Sequence, residues 1–341
     1  MKRTFDIVIV GGGIIGLAAA YTFAGQGCCV ALLDKRDTGR EASWAGGGIL
    51  FPLLPWDYPQ DYASWVIESA RRYGTICDAL CVESDIDPQY RRHGMVLLQA
   101  PTPPVYQGVD IETCQFLGQE AFFLPEVAQV RNPRILKSLK TACMRKGVTF
   151  FEGEPLMAFI RQGRTIEAAK TPRQSLHAKK YLLCAGAWSA ELIRSFLPTL
   201  ACLPVRGQML LFAFQKPPFD AIVFGDGVYA VPREDGHLLL GATVEPSVLD
   251  ALPTAQGYRF LLAKSRQLGL DLPESAMVAQ WGGLRPAVQN RLWPIIDRHP
   301  NIENLFINVG HFRYGLTTAF ASAAVALDCI RGQKTLPAFH W

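Results

Sequence analysis

Apolar runs and helical patterns alternate near the start of the chain. Residues 5 to 10, FDIVIV, form a short run rich in β-branched residues, and residues 28 to 34, CCVALLD, form a second one. Between the two runs, apolar positions follow helical spacing and stop at Gly25 and Gly27. This pattern predicts a strand, a tight turn, a helix and a second strand.

The remainder of the chain predicts similar units on either side of an antiparallel block. The pattern indicates an interrupted helix over 58–83, a strand over 94–100, a proline-rich connection over 101–108, a helix over 132–146, a strand over 148–153, a hairpin over 156–171, a strand over 181–188 that runs into a helix, successive strands over 205–245, a helix near 254–269, a strand over 304–310 and a last helix. We therefore expect an α/β fold with a discontinuous Rossmann-like domain and a second, mainly antiparallel domain. The predicted first domain comprises 1–88, 133–200 and 283–341, and the second comprises 89–132 and 201–282.

Composition excludes several classes of protein. The chain has 341 residues, 49% of them hydrophobic, which is enough for two domains with large cores. Its 34 Lys and Arg against 30 Asp and Glu leave a formal charge of +4 and are scattered, so nucleic acid is not an expected partner. The nine cysteines follow no metal-ligand spacing, which predicts buried thiols in a reducing compartment and no metal site.

The start of the chain has some features of a signal peptide, namely Lys2, Arg3 and an apolar stretch. Asp6 and the glycine-rich turn interrupt that stretch, and a strand, turn and helix explain every residue, so export is not expected. The apolar segment 315–330 is shorter than the roughly twenty residues that a membrane span requires. We expect a cytoplasmic protein without a membrane span, and a homo-oligomer is compatible with these features.

Gly11, Gly13 and Gly16 form a G-x-G-x-x-G motif directly after the first predicted strand and at the start of a helix. In this context the first glycine makes the turn, the second lets the backbone approach a pyrophosphate, and the third lets the helix pack closely on the strand. Free amides at the helix N-terminus stabilise the phosphates. Asp34 ends the second strand, where a carboxylate accepts hydrogen bonds from a ribose diol. The motif suits nicotinamide and flavin dinucleotides alike.

A second glycine run lies at residues 43 to 50, SWAGGGIL. A flavin ring is flat and rigid, and backbone covers it closely only where side chains are small, so Ala45 and 46–48 fit a flavin-covering loop. Ser43 is placed to donate to a phosphate. The alternative is a flexible surface loop, but the surrounding sequence WAGGGILFPLLPW is too apolar for solvent. This run favours FAD.

Several segments together carry a family resemblance. They are GGGIIG, SWAGGGIL, VRNPRILKSL, CAGAWS, PVRGQM, YAVPR, GGLRP and NVGHFRYGL, in this order along the chain. In these segments the chain resembles the glycine oxidase branch of the D-amino-acid oxidase family, FAD enzymes that include the thiamine-pathway glycine oxidases. The resemblance implies a D-amino-acid oxidase-like fold, in which the first domain binds FAD and the second binds substrate. It also implies non-covalent FAD, because no cysteine matches those that hold flavin in related sarcosine oxidases.

The resemblance distributes the cofactor contacts over several loops. Leu156 matches a position whose backbone contacts adenine, and His311 belongs to the flavin loop in a structural role. The helix that starts at Gly315 is expected to direct its positive end at the flavin, where it stabilises the reduced, negatively charged form. The implied cofactor residues are Gly11, Gly13, Ile14, Ile15, Gly16, Asp34, Lys35, Ser43, Trp44, Ala45, Gly46, Gly47, Gly48, Leu50, Leu156, Ala185, Gly186, Trp188, Gly310, His311, Arg313, Tyr314, Gly315, Leu316 and Thr317.

Three residues match the substrate site of the family. Arg285 corresponds to the arginine that grips the substrate carboxylate, Tyr229 to a tyrosine that also reaches this group, and Arg313 to a second arginine near it; these are the predicted catalytic residues. An ordinary ion pair is the alternative for each arginine alone. The substrate residues further include Ile49, Tyr314, which stands where relatives usually carry asparagine, and Val244, expected on a strand that faces the flavin.

The implied reaction is oxidation of a small amino acid such as glycine, sarcosine or a small D-amino acid. The products are an imine that hydrolyses to an oxo acid, and hydrogen peroxide from dioxygen. The expected partners are therefore a small amino acid and dioxygen. Two alternatives stay open: a dehydrogenase of the same fold that passes electrons to a quinone or a protein, and a non-catalytic FAD redox or interaction module.

Overall fold

The computed structural model of the chain describes residues 4–52, 54–98, 106, 108–246 and 248–341. The predicted proline-rich connection over 101–108 lies outside these ranges except for residues 106 and 108. The α-helices in the described ranges are α1 (Ile14–Gly25), α2 (Glu41–Ala45), α3 (Gln60–Arg71), α4 (Tyr73–Ser84), α5 (Asn132–Arg145), α6 (Ser189–Ile193), α7 (Ala255–Gln267) and α8 (Gly315–Ile330).

Strands form three sheets in the described ranges. The strands are β1 (Thr4–Val10), β2 (Val30–Leu33), β3 (Ile49–Leu50), β4 (Met95–Leu97), β5 (Glu112–Phe116), β6 (Gln119–Leu124), β7 (Ala128–Gln129), β8 (Thr149–Phe151), β9 (Ala158–Gln162), β10 (Thr165–Lys170), β11 (Ser175–Leu183), β12 (Cys202–Ala213), β13 (Ile222–Gly225), β14 (Val228–Pro232), β15 (His237–Gly241), β16 (Glu245–Pro246), β17 (Met277–Val288), β18 (Ile295–Arg298) and β19 (Leu305–Val309).

The first sheet has β1 near its centre, in the order β18-β19-β11-β1-β2-β8. β1 pairs in parallel with β2 and β11, and its last four residues are buried. Burial on both faces of a parallel strand explains the unbroken apolar run in its sequence. The hairpin β9–β10 extends from β11 in antiparallel fashion.

Helix α1 connects β1 to β2 and packs against α8 and α5. Leu17 and the three alanines at 18–20 are fully buried, so apolar residues surround the helix on all sides. The small alanine side chains let neighbouring helices approach closely. The N-terminus of α1 consequently lies at the carboxyl end of β1, where parallel α/β sheets bind ligands.

The second sheet runs β16-β12-β15-β14-β13-β4-β6-β5, with β17 on the other side of β12. Its neighbours are antiparallel except for β13 and β4, in agreement with the antiparallel block predicted over 205–245. β17 pairs with β12 along its whole length, from Met277 to Val288, and so crosses the predicted boundary between residues 282 and 283. The domain boundaries stay a prediction.

The structure differs from the sequence expectations at two places. The helix predicted over 58–83 is interrupted as expected, but α3 and α4 meet at Arg72 and not at Gly74. The prediction that Val244 lies on a strand is wrong, since β15 ends at Gly241. There the amide of Gln208 donates to the Thr243 hydroxyl, at 3.0 Å, which replaces a backbone partner and interrupts the ladder. No helix in the described ranges is long and apolar enough to cross a membrane.

Candidate active site

A cavity of about 370 Å³ is lined by residues from both large sheets and from the loops between them. This volume is in the usual range for ligand pockets. The structure brings most of the predicted site together here. The predicted residues that line the cavity are Gly11, Gly13, Ile14, Ile15, Asp34, Lys35, Ser43, Ala45, Gly46, Gly47, Gly48, Ile49, Leu156, Ala185, Gly186, Trp188, Tyr229, Val244, Arg285, His311, Arg313, Tyr314, Gly315 and Leu316.

The predicted cofactor residues outside this lining are Gly16, Trp44, Leu50, Gly310 and Thr317. All of them except Trp44 are buried. A Cβ on Gly16 would lie 1.8 Å from the carbonyl oxygen of Gly11, so its role is close packing of α1, as the motif predicts. Leu50 is fully buried in the core, and the hydroxyl of Thr317 lies 3.4 Å from the carbonyl oxygen of Ile49. Direct cofactor contacts by these five residues stay a prediction.

The turn between β1 and α1 is shaped for close approach. Gly11 has a φ of +107°, and a Cβ there would lie 2.4 Å from the carbonyl oxygen of Cys184, so only glycine fits. No side chain caps α1 at Gly13. The Ser43 hydroxyl accepts a hydrogen bond from the amide of Ile14 at 2.9 Å and keeps its own hydrogen for a second partner. This helix N-terminus is suited to an anionic phosphate.

Asp34 and Lys35 follow β2 at the same end of the cavity. The Asp34 carboxylate accepts hydrogen bonds from the amides of Gly12, at 2.6 Å, and Arg36, at 2.8 Å. Burial nevertheless raises the pKa of Asp34, and each oxygen retains a lone pair for a sugar hydroxyl. The Lys35 ammonium lies 3.3 Å from the ring centroid of Trp188, and burial lowers the pKa of Lys35.

The second glycine run lies pressed between two neighbours. A Cβ on Gly47 would lie 2.7 Å from Cε2 of Tyr229, and one on Gly48 would lie 2.0 Å from the carbonyl oxygen of Val130. Gly48 also has a φ of +78°. The packing around this loop therefore leaves no room for side chains at these positions. This is the loop that the sequence predicts to cover a flat ring.

Two residues that hold this loop were missed by sequence reasoning. Arg233 donates from Nη2 to the carbonyl oxygen of Gly47 at 2.9 Å, and from Nη1 to that of Val130 at 3.0 Å. Asn132 donates from Nδ2 to the carbonyl oxygen of Ser43 at 2.6 Å and lines the cavity. Both occur in segments that carry the resemblance, YAVPR and VRNPRILKSL, and no local pattern indicated their contacts.

Asn132 also offers an unused acceptor. Its Oδ1 is buried and has no hydrogen-bond partner among the described residues. Because Nδ2 bonds to a carbonyl oxygen, the amide orientation is fixed and Oδ1 remains an acceptor. A buried acceptor without a partner costs free energy unless a ligand donates to it, so Asn132 fits a cofactor hydroxyl or N–H group.

Arg285 on β17 and Tyr229 on β14 lie together in the cavity, and Arg313 lines it as well. Nη1 of Arg285 donates to the carbonyl oxygen of Thr243 at 3.0 Å. Burial lowers the pKa of Arg285 and raises that of Tyr229. In the described part of the chain, no carboxylate forms an ion pair with Arg285 or Arg313, so this part of the cavity is positive and suits an anionic group.

His311 is buried and fully engaged. Its Nε2 lies 2.7 Å from Oδ1 of Asn308, and its Nδ1 lies 3.1 Å from the hydroxyl of Thr318. Because Nδ2 of Asn308 faces Ser322, we assign the ring proton to Nε2. Burial lowers the pKa of His311 to about 3. The ring is neutral at physiological pH, which supports a structural role.

Tyr314 lies at the start of α8, directly before Gly315. It is 4% exposed, and its hydroxyl donates to that of Tyr58 at 2.7 Å. The rings of these two tyrosines contact edge to face, with centroids 5.6 Å apart. Tyr314 thus forms a fixed wall of the cavity.

The residues present fit a dinucleotide with a flat ring. The helix N-terminus at Gly13, with the Ser43 hydroxyl beside it, suits the phosphates, and the Asp34 carboxylate suits a sugar. The unpaired oxygen of Asn132 suits a hydroxyl or N–H group, and the loop without side chains suits the flat ring. In the described ranges, no group of three or more His, Cys, Asp or Glu is arranged to hold a metal ion.

Comparisons with known proteins agree with this fit. The family model for FAD dependent oxidoreductases matches residues 6–328. The glycine oxidase of Pseudomonas aeruginosa is 33% identical over 97% of this chain and 96% of its own, and that of Pseudomonas putida is 34% identical over 97% and 96%. The crystal structure of glycine oxidase from Bacillus cereus superposes with a TM-score of 0.87 over 98% of this chain and 99% of its own, at 21% identity, which shows the fold.

These matches confirm the family resemblance and the fold class predicted from the sequence. The match to the family model extends over most of the chain. It includes both glycine runs and the segments that contain Arg285 and Arg313. The chain belongs to the FAD dependent oxidoreductase family, and its cofactor is FAD.

Proposed function

We propose that this protein catalyses the FAD-dependent oxidative deamination of a small amino acid, with dioxygen as the electron acceptor. The observation that carries the proposal is the guanidinium of Arg285, which lines the cavity beside Tyr229 without a carboxylate partner in the described part of the chain. Arg285 is half-buried, and Glu245, which acts on it electrostatically, forms its ion pair with Arg206 instead. A desolvated cation without an ion-pair partner is costly. An amino-acid carboxylate supplies that counter-charge when it binds.

FAD, when bound, supplies the acceptor of a hydride. The chain supplies orientation and electrostatics. The fork of Arg285 suits a bidentate pair with a carboxylate, and the hydroxyl of Tyr229 is a further donor. Together they fix the substrate at one end, so that the bond to be oxidised has a defined place in the cavity.

A base on the protein is not required by this arrangement. His311 is neutral, but both of its ring nitrogens are engaged, by Asn308 and Thr318. The substrate amine therefore has to bind in its neutral form and to lose its proton to solvent as the imine forms. This assigns the protein residues to binding and charge stabilisation rather than to proton transfer.

Small amino acids are the proposed substrates. The relatives named glycine oxidase support an amino-acid substrate, and Ile49, Tyr229 and Tyr314 restrict the space around the arginine. Val244 also lines the cavity, but it is 46% exposed and so lies where the cavity meets solvent. Glycine, sarcosine and small D-amino acids satisfy these limits.

We further propose a cytoplasmic location. All nine cysteines are free thiols, and Cys77, Cys143, Cys184 and Cys202 are buried. Free thiols are typical of proteins in a reducing compartment.

A substrate screen on the FAD-loaded protein tests the proposed function. Peroxide release and dye reduction are measured in parallel with glycine, sarcosine, D-alanine, D-proline and larger D-amino acids. We expect peroxide from at least one small substrate. Dye reduction without peroxide would indicate a dehydrogenase, and the absence of both in a protein that retains FAD would indicate a non-catalytic module.

A further inference from the structure

Gly207 lies directly beneath the guanidinium of Arg285. It belongs to β12, where it pairs with Gly283 of β17, and Arg285 follows two residues later on β17. A Cβ on Gly207 would lie 2.3 Å from both Nη1 and Nη2 of Arg285 and 2.4 Å from its Cζ. The end of the arginine therefore occupies the space that any other residue at 207 would need.

Gly283 leaves a similar gap on the neighbouring strand. A Cβ there would lie 2.6 Å from Cβ of Ala45, at the end of α2. The Gly207–Gly283 pair thus forms a patch of the sheet without side chains. Arg285 covers this patch at Gly207, and Ala45, which leads into the second glycine run, covers it at Gly283. This places the guanidinium close to the plane of the sheet.

We propose that Gly207 is the positioning residue for the carboxylate-binding arginine: the missing side chain determines where the guanidinium of Arg285 lies in the cavity. The inference rests on the proposed function for the identity of the bound group. The contacts between Gly207 and Arg285 do not depend on it.

Backbone carbonyl oxygens also hold the guanidinium. Nη1 donates to the carbonyl oxygens of Thr243, at 3.0 Å, and Arg206, at 3.5 Å. Thr243 is itself held by the amide of Gln208 and by Glu245, to which its hydroxyl donates. The guanidinium carries further N–H donors besides those of Nη1, and the Tyr229 side chain lies beside it, so a carboxylate bound there meets both side chains.

A methyl group at position 207 is expected to displace the arginine and to leave the strand intact. The atoms that it would meet belong to the far end of a flexible side chain, and Gly207 has no positive φ that requires glycine. The guanidinium can swing away, but it then loses the bonds to Thr243 and Arg206. A displacement of about 1 Å is enough to reduce binding or turnover by about tenfold to a hundredfold.

The test is the Gly207→Ala variant of the FAD-loaded protein. Acetate, a carboxylate without an amine, is titrated while the flavin absorbance is recorded, and FAD content and Tm are measured alongside. We expect an acetate affinity about tenfold to a hundredfold weaker than wild type, with FAD content and Tm close to wild type. Gly25→Ala is the matched control, because a Cβ on Gly25 meets nothing within 4 Å, and it should bind acetate as the wild type does.

A double-mutant cycle separates positioning from a general effect on the sheet. In an Arg285→Ala background, adding Gly207→Ala should change the acetate affinity by less than about twofold, since the displaced group is already gone. An equal loss in both backgrounds overturns the proposal, and so does a Gly207→Ala protein that binds acetate like the wild type. If the single variant does not fold, the double variant should restore folding, and failure of both contradicts the inference.

The same titration distinguishes this inference from the proposed function. A wild-type protein that binds acetate through Arg285 and Gly207 but oxidises no amino acid contradicts the proposed function and supports the positioning role. A wild-type protein that does not bind acetate at all overturns the positioning role.

Discussion

Nη2 of Arg233 donates a hydrogen bond over 2.9 Å to the carbonyl oxygen of Gly47. The arginine follows β14 of the antiparallel sheet, whereas the glycine lies in the loop between α2 and β3. One side chain therefore joins the second sheet to the loop that fits the flat ring of the cofactor. Burial lowers the pKa of Arg233 to about 10, which leaves it charged at neutral pH.

Arg233→Ala should weaken both the fold and cofactor binding. The substitution leaves the carbonyl oxygens of Gly47 and Val130 without this donor, and a lost bond to a charged group costs roughly 1.5 to 3 kcal/mol. Urea unfolding and FAD titration of the apoprotein measure the two effects. Arg164→Ala is the control, because its ion pair with Glu303 is exposed and should contribute less than about 1 kcal/mol. Unchanged FAD affinity in Arg233→Ala would show that the loop is held by other contacts.

Arg285→Ala should abolish most of the activity and leave the cofactor in place. A substrate carboxylate that is buried without its partner costs roughly 2 to 5 kcal/mol, which corresponds to a loss of about thirtyfold to several thousandfold in kcat/KM. Arg285→Lys should recover only part of this, because an ammonium group does not make the forked pair. FAD content and the visible spectrum should stay near wild type. Wild-type efficiency in Arg285→Ala would instead point to an amine without a carboxylate as substrate.

FAD should be bound without a covalent link. Cys184 is the one cysteine among the described residues that line the cavity, it is buried, and burial raises its pKa, so its thiol is unreactive. Acid precipitation should release yellow cofactor into the supernatant. Colour that stays with the protein pellet would contradict this prediction.

Substrate preference should follow side-chain size. Tyr314 is fixed by its hydrogen bond to Tyr58, and Tyr229 by packing against Gly47, and both line the same cavity as Arg285. Neither ring can readily move aside for a large group. We expect kcat/KM to be higher for glycine, sarcosine or D-alanine than for D-phenylalanine. A clear preference for D-phenylalanine would mean that the tyrosines move when substrate binds.

His311 should make stability depend on pH. Its pKa is lowered from 6.5 to about 3, so below pH 6.5 the unfolded chain binds a proton that the folded chain excludes. The stabilisation is complete above about pH 6.5 and is lost as the pH falls, by roughly 2 kcal/mol between pH 7 and pH 5. Urea unfolding with excess FAD should show this loss in the wild type and in the exposed control His93→Gln, and a smaller loss in His311→Gln. Equal losses in all three proteins would contradict the prediction.

Features that depend on local sequence were predictable. The turn at Gly11, the packing of α1 at Gly16 and the bare loop at 46–48 all occur where the glycine pattern placed them. A glycine run indicates that backbone or a ligand lies against the chain at that point. This can be inferred from the sequence without knowing which group makes the contact.

Features that depend on contacts between distant segments were not predictable. Arg233 and Asn132 act on the second glycine run from the segments YAVPR and VRNPRILKSL, and Gly207 is defined by a side chain from β17. Nothing in the sequence around each of these residues indicates which residue it contacts. The contact is seen only in the folded structure. The same holds for Val244, since the strand before it ends where the Thr243 hydroxyl accepts a hydrogen bond from the amide of Gln208.

The position of β1 in its sheet bears on how the protein is made. Val8 pairs with Tyr181, and Tyr181 pairs with Leu305, so three strands that lie side by side are distant in the order of synthesis. During translation β1 and β2 can pair early, but the other edge of β1 waits for β11, and β11 waits for β19. Such pairings between distant segments give a high contact order and slow folding. While the edge of β1 is unpaired, its apolar face is open to aggregation, and the nascent chain is expected to need chaperone protection until β11 has been synthesised.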